Sequence, residues 1–150
     1  MPSIKISDAL FIRGNNLYPR LILNEANAYT TDTMHRVFIK ESVNKNAFIA
    51  SFYNSLSLAF SEITGRSYGG GVLELMPSET EQILLPYREE NADILLSIDK
   101  MMRQKKDIAS ILAMSNQKIL KEGCGFSDRE IMIADNIWKK LSARRLNRNK

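Results

Sequence analysis

The chain changes texture near residue 88, and that change limits the folds open to it. All four prolines and five of the seven glycines lie in residues 1–88. Both residue types interrupt regular structure, so this part must be assembled from short elements joined by turns. Residues 89–150 contain no proline and read as almost pure helix. The combination points to an α+β fold: a small mixed or antiparallel sheet packed by one long helix, followed by a helical C-terminal extension of about three helices. The expected division is residues 1–88 and 89–150.

The patterning fills in that outline. Ala9–Ile12 and Leu21–Leu23 read as strands, separated by the turn chemistry of Arg13-Gly14-Asn15-Asn16. Thr33–Lys40 is a further strand, and Val72–Leu75 a short one after a glycine run. Ala47–Ile63 is the expected long helix. Its Ile49, Phe52, Tyr53, Leu56, Phe60 and Ile63 recur at spacings of three and four and predict one buried face, with Gly65 placed to stop it. Pro77-Ser78-Glu79 opens a single helical turn. Beyond it, Asn91–Lys105 and Asp107–Lys121 carry apolar stripes, with Asp107 as an N-cap and Gly123 as a stop. Ser127-x-x-Glu130 is a capping box before a last helix, whose stripe is Ile131, Ala134, Trp138 and Leu141. These stripes are packing signals and carry no cofactor role.

Composition narrows the function classes. With 44% apolar residues the chain can bury a core. No stretch approaches the ~20 apolar residues of a membrane span, and MPSIKISD has no secretion-signal pattern. The single cysteine, Cys124, forms no internal disulfide and fits a reducing cytoplasm. Lys139, Lys140, Arg144, Arg145, Arg148 and Lys150 crowd residues 139–150 without an acid, and the remaining chain holds 15 basic and 17 acidic residues. Such a tail either binds phosphates or is a solvated helix end.

Several chemistries are excluded by inventory. One histidine (His35) and one cysteine cannot make a four-ligand zinc site, and no nucleophile elbow accompanies His35. Gly69-Gly70-Gly71 lacks the Lys-Ser/Thr and following helix of a phosphate loop; Val72-Leu73-Glu74-Leu75 reads as a strand instead. Leu85-Pro86-Tyr87 lacks the second proline and the preceding amide or acid of an amino-methylating motif.

Four segments, in order and spacing, resemble one family: Pro19-Arg20-Leu21-Ile22-Leu23-Asn24, Thr31-Asp32-Thr33-Met34-His35-Arg36-Val37, Phe52-Tyr53-Asn54-Ser55-Leu56, and Glu62-x-x-Gly65-Arg66-Ser67-Tyr68-Gly69-Gly70-Gly71-Val72-Leu73-Glu74-Leu75. They resemble the C-terminal target-recognition region of bacterial adenine amino-group (N6-adenine) DNA methyltransferases of restriction–modification systems. The resemblance covers roughly residues 4–88, and the glycine-rich stretch is its most specific part. It implies that double-stranded DNA is the partner, together with an N-terminal catalytic methyltransferase domain, in cis or in trans. That domain, expected to precede residue 1, would bind S-adenosylmethionine and methylate a flipped adenine. The chain itself is then expected to hold no cofactor and to perform no methyl transfer alone. An excised piece, a truncated gene and a split system are all open.

Under that reading Arg66 binds guanine or phosphate and Ser67 binds phosphate beside Tyr68, while Gly69 and Gly70 let the backbone approach the duplex. The plain alternative is a buried turn with Arg66 paired to Glu62. His35 and Arg36 are adjacent on a strand, so their side chains oppose; Arg36 is the favoured contact and His35 a supplement. Asn24 and Thr31 are weaker candidates, since both also satisfy turn backbones. The helical end braces the recognition region, extends a phosphate grip or docks a partner. A protein-interaction module that docks a methyltransferase or restriction subunit is the competing function, and a small enzyme of unknown type a third.

Overall fold

The computed structural model, which describes residues 5–148, begins with a run over residues 9–15 that is broken at Arg13 and contributes one strand to each of two sheets. Strand β1 (Ala9–Ile12) lies between β3 (Leu21–Leu23) and β4 (Met34–Val37), both antiparallel to it. At Arg13 the chain changes sheet. The Arg13 amide donates to Thr33 (3.2 Å) and its carbonyl accepts from Leu75 (3.0 Å). The next two residues, Gly14–Asn15, are strand β2, which pairs with β6 (Val72–Glu74); β6 in turn pairs with β5 (Arg66–Tyr68). The expected strands at 9–12 and 21–23 are present with those bounds, while the strand expected over 33–40 is confined to β4.

The expected single helix over 47–63 is two helices, α1 (Lys45–Phe52) and α2 (Ser55–Thr64). Two residues impose the break. The Tyr53 hydroxyl donates to the Leu21 carbonyl (2.6 Å) and accepts from the Leu21 amide (3.1 Å), which ties the helix end to β3. Burial pushes that phenol's pKa up. Asn54 is extended (φ −153°) and caps α2: its carboxamide oxygen accepts from Ser57 (2.9 Å) and its Nδ2 donates to Ser51 (2.7 Å).

The new cap restarts the helix in a different phase, so the predicted face does not continue inward. Ile49, Phe52 and Tyr53 are buried as expected, but Leu56 and Phe60 are only half-buried and Ile63 is 58% exposed. The buried residues of α2 are Ser55, Ser57, Leu58, Ala59 and Ser61. Their hydroxyls are satisfied locally: Ser57 donates to the Leu84 carbonyl (2.7 Å) and Ser61 to that of Ser57 (2.8 Å).

Single-turn α3 (Pro77–Thr80) follows β6. Helix α4 (Ala92–Arg103) packs on α1. Helix α5 (Ile108–Ser115) starts at the Asp107 cap and runs on as a π-helical segment, Asn116–Gly123, in place of the uniform helix expected to Lys121. Helix α6 (Asp128–Leu146) starts at Ser127, whose hydroxyl accepts from the Glu130 amide (3.1 Å). It lies along α2 in the same direction. Ser55 meets Asp135 at one end (2.9 Å) and Glu62 meets Arg145 at the other (2.7 Å). Phe11, Phe52, Leu58, Leu73, Leu75, Ile98, Ile111, Leu112 and Trp138 belong to one continuous core. Among the described residues no helix is long and apolar enough to cross a membrane.

Candidate nucleic-acid interface

The hairpin β5–β6 owes its position to glycines. Gly65 does stop α2, though with an ordinary φ of −77°. What it supplies is space: a Cβ there would lie 2.8 Å from Leu73 Cδ1 and 2.9 Å from the Ser61 carbonyl oxygen. The tight turn Gly69–Gly71 then holds Gly70 at φ +80° and Gly71 at φ +78°, left-handed values that side chains disfavour. A Cβ on Gly69 or Gly70 would meet nothing within 4 Å, so the tip of the turn faces open space.

Register decides what the hairpin displays. Arg66 pairs with Glu74, Ser67 with Leu73 and Tyr68 with Val72. Cross-strand partners share a face. Leu73 is fully buried, so Arg66, Tyr68, Val72 and Glu74 occupy the outer face. Arg66, Ser67, Tyr68, Gly69 and Gly70 are all exposed, and the fold brings these five together on one hairpin.

Arg66 is paired, but not with Glu62, the partner of the plain alternative. Its Nε donates to Glu79 (2.9 Å), which also accepts from the Met76 amide (2.9 Å). Glu79 raises the guanidinium pKa, with Tyr68 adding to it, so Arg66 is a fixed cation. Glu62 instead receives Arg145 from α6. That pair is nearly inaccessible on both sides, and the second Arg145 nitrogen, Nη1, donates to the carbonyls of Asn16 and Gly71. The C-terminal turn of α6 is thereby seated on the glycine turn.

Beside the hairpin, where the two sheets meet, lies an open cleft of about 470 Å³ lined by Ile12, Arg13, Gly14, Asp32, Thr33, Met34 and Glu74. Arg13 reaches Glu74 across it (2.7 Å). Sequence reading assigned Arg13 only to a turn and overlooked Asp32 and Glu74. An arginine directly before Gly-Asn-Asn was the available signal.

The remaining sequence candidates divide. Arg36 is exposed, opposite Leu10 on the outer side of its sheet. His35 points the other way, as strand alternation requires, stacked on Phe11 (centroids 6.4 Å apart). Its Nε2 lies 2.6 Å from the Leu75 carbonyl, and only an N–H can serve that acceptor. Asn24 is buried and committed to its own turn, donating to Ser7 and Ala28 carbonyls and accepting from the Ala28 amide. Thr31 is exposed and shares a hydrogen bond with Thr33 at the cleft (2.9 Å).

The sequence that builds this fold is that of a methyltransferase-associated domain. The family model for the C-terminal domain of the type II methyltransferase M.Eco57I matches residues 1–120, and the chain belongs to that family. Comparison with curated proteins found no match, and comparison with solved structures found none. Helix α6 lies beyond the matched residues.

Proposed function

We propose that this domain binds duplex DNA on the face that carries the β5–β6 hairpin and positions it for adenine methylation by a catalytic domain outside this chain. The observation that carries the reading is the hairpin itself: a paired arginine and a tyrosine on its outer face and a side-chain-free turn at its tip, with Ser67 exposed between them on the other side of the strand. Arg66 and Ser67 suit phosphate oxygens, and an arginine also reads guanine. Gly69 and Gly70 admit close approach of a nucleic-acid backbone. The neighbouring cleft mixes a cation, two carboxylates and a hydroxyl, the donor and acceptor types that base edges require. Arg36, exposed on the first sheet, is a further phosphate contact on this reading, with Thr31 beside the cleft.

The methyl donor, S-adenosylmethionine, belongs on this reading to the catalytic domain. The glycine turn leads into strand β6 and not into a helix, so it does not fit a cofactor loop. The test is fluorescence anisotropy with a random duplex of about three helical turns, at about 50 and about 200 mM salt. Binding should weaken with salt. Arg66→Ala should weaken it further and, for one phosphate contact, shrink the salt-induced drop by about 3.5-fold. Unchanged affinity of Arg66→Ala at both salt concentrations would remove Arg66 from the interface.

A second reading is docking onto a methyltransferase or restriction subunit without direct DNA reading. It draws on the outward phase of α2. Leu56 and Phe60 are half-buried and Ile63 is exposed, and α6, which packs along α2, also leaves Ile137 exposed. Loss of association with the catalytic domain in Ile63→Glu, with duplex binding absent in the parent chain, would favour it.

A further inference from the structure

The basic end of α6 is not one undifferentiated run. Lys139 is tied to Asp135 (2.5 Å), and Arg145 is buried against Glu62. Lys140, Arg144 and Arg148 are different: each is exposed, and among the described residues none has an ion-pair partner. Lys140 and Arg144 are one turn apart on the same side of α6, and Arg148 lies two residues past the helix end. Lys150, the last cation of the sequence run, lies outside the described residues, as do residues 1–4.

The series ends beside the hairpin. A Cβ on Gly71 would sit 3.4 Å from Leu146 Cδ2, and Arg145, flanked by Arg144 and Arg148, touches the Gly71 carbonyl. The helix dipole favours cations only within the last turn, at about 0.3–1 kcal/mol each. It accounts for Arg144, but not for Lys140, which lies six residues before the helix end.

We propose that Lys140, Arg144 and Arg148 form a phosphate track that holds the same duplex as the hairpin, so that α6, outside the family-matched residues, completes the DNA-binding face. This rests on the DNA reading above. At 1.5 Å per residue Lys140 and Arg144 stand about 6 Å apart along the helix, and Arg148 continues the series past its end, so the three cations can meet successive phosphates of one backbone. Two such copies would face each other with like charge, which disfavours self-association through this stripe.

The test compares the parent chain, Arg66→Ala and the triple variant Lys140→Ala/Arg144→Ala/Arg148→Ala in duplex binding across salt. Alanine is the best helix former, so the triple variant keeps α6; a melt checks this. Three lost phosphate contacts lower the slope of log affinity against log salt by about 2.7, so the drop between about 50 and about 200 mM salt shrinks by about 40-fold. A folded triple variant with the parent slope overturns the track, while the loss in Arg66→Ala leaves the hairpin reading standing. A parent chain with no salt-dependent binding overturns the DNA reading and the track with it. Retention of duplex binding by the triple variant, with loss of binding to vesicles of anionic lipid, assigns the stripe to a membrane surface and overturns the proposal.

Discussion

Arg145→Ala is the substitution that most directly tests how α6 is joined to the hairpin. The guanidinium is 2% exposed and the Glu62 carboxylate 3% exposed, so truncation strands a buried charge. Breaking such a pair from one side costs about 3–5 kcal/mol. For a domain of this size that lowers the melting temperature by roughly 6–20 °C. The two carbonyls of Asn16 and Gly71 lose their donor at the same time. A second variant separates the effects: Glu62→Leu/Arg145→Met removes both charges but leaves the carbonyls unserved, at about 1–3 kcal/mol for each that no water reaches. Urea denaturation should therefore place the double variant between Arg145→Ala and the parent. Because the pair is buried, salt should change the difference little. An Arg145→Ala variant within about 1 kcal/mol of the parent would refute the argument, since an unpaired buried carboxylate is not tolerated so cheaply. A double variant as stable as the parent would show that the carbonyl bonds contribute nothing.

Two further predictions test the fold. Leu58→Ala should cost about 2–5 kcal/mol because the side chain is fully buried, whereas Ile63→Ala should stay within about 0.5 kcal/mol; equal costs in urea would contradict the phase assigned to α2. The Asp8 carboxylate accepts from Lys45 (2.7 Å) and from the Ile39 amide (2.7 Å), which hold its pKa below the usual carboxylate range. A folded-state pKa lowered in this way contributes stability above the unfolded value, about 3.9, and that stability is lost as pH falls through the folded value. The difference in urea midpoint between the parent and Asp8→Asn should thus narrow between about pH 6 and about pH 3; a constant difference would exclude the pair as its source.

Local signals were legible where the physics is local. Strands β1 and β3, the Asp107 and Ser127 caps and the Pro77 turn follow from residues within a few positions of one another. The break between α1 and α2 was not read, although Asn54 followed by Ser55 is itself a cap signal. A stripe at spacings of three and four crosses that point without interruption, and nothing in it reveals that Tyr53 is claimed by Leu21. The alternative pairing of Arg66 with Glu62 rests on their separation of four residues, but that rule applies only inside a helix. Arg66 is the first residue of a strand, and its carboxylate comes from Glu79.

The basic tail shows why composition could not distinguish binding from structure. Arg144, Arg145 and Arg148 are chemically identical, yet one is buried and two are exposed. Helical phase separates them: a step of 100° turns Arg145 toward α2 and leaves Arg144 outside. The partner that makes the inward direction matter, Glu62, is 83 residues earlier, and the turn it secures is 74 residues earlier. A charged residue so far from its partners looks like any other member of a run. Once α6 lies parallel to α2, the same run divides into a clamp that holds the glycine turn and a stripe that is free to hold something else. That division makes α6 part of the hairpin's support, so a cut before residue 128 would remove the donor to the Gly71 carbonyl along with the three outward cations.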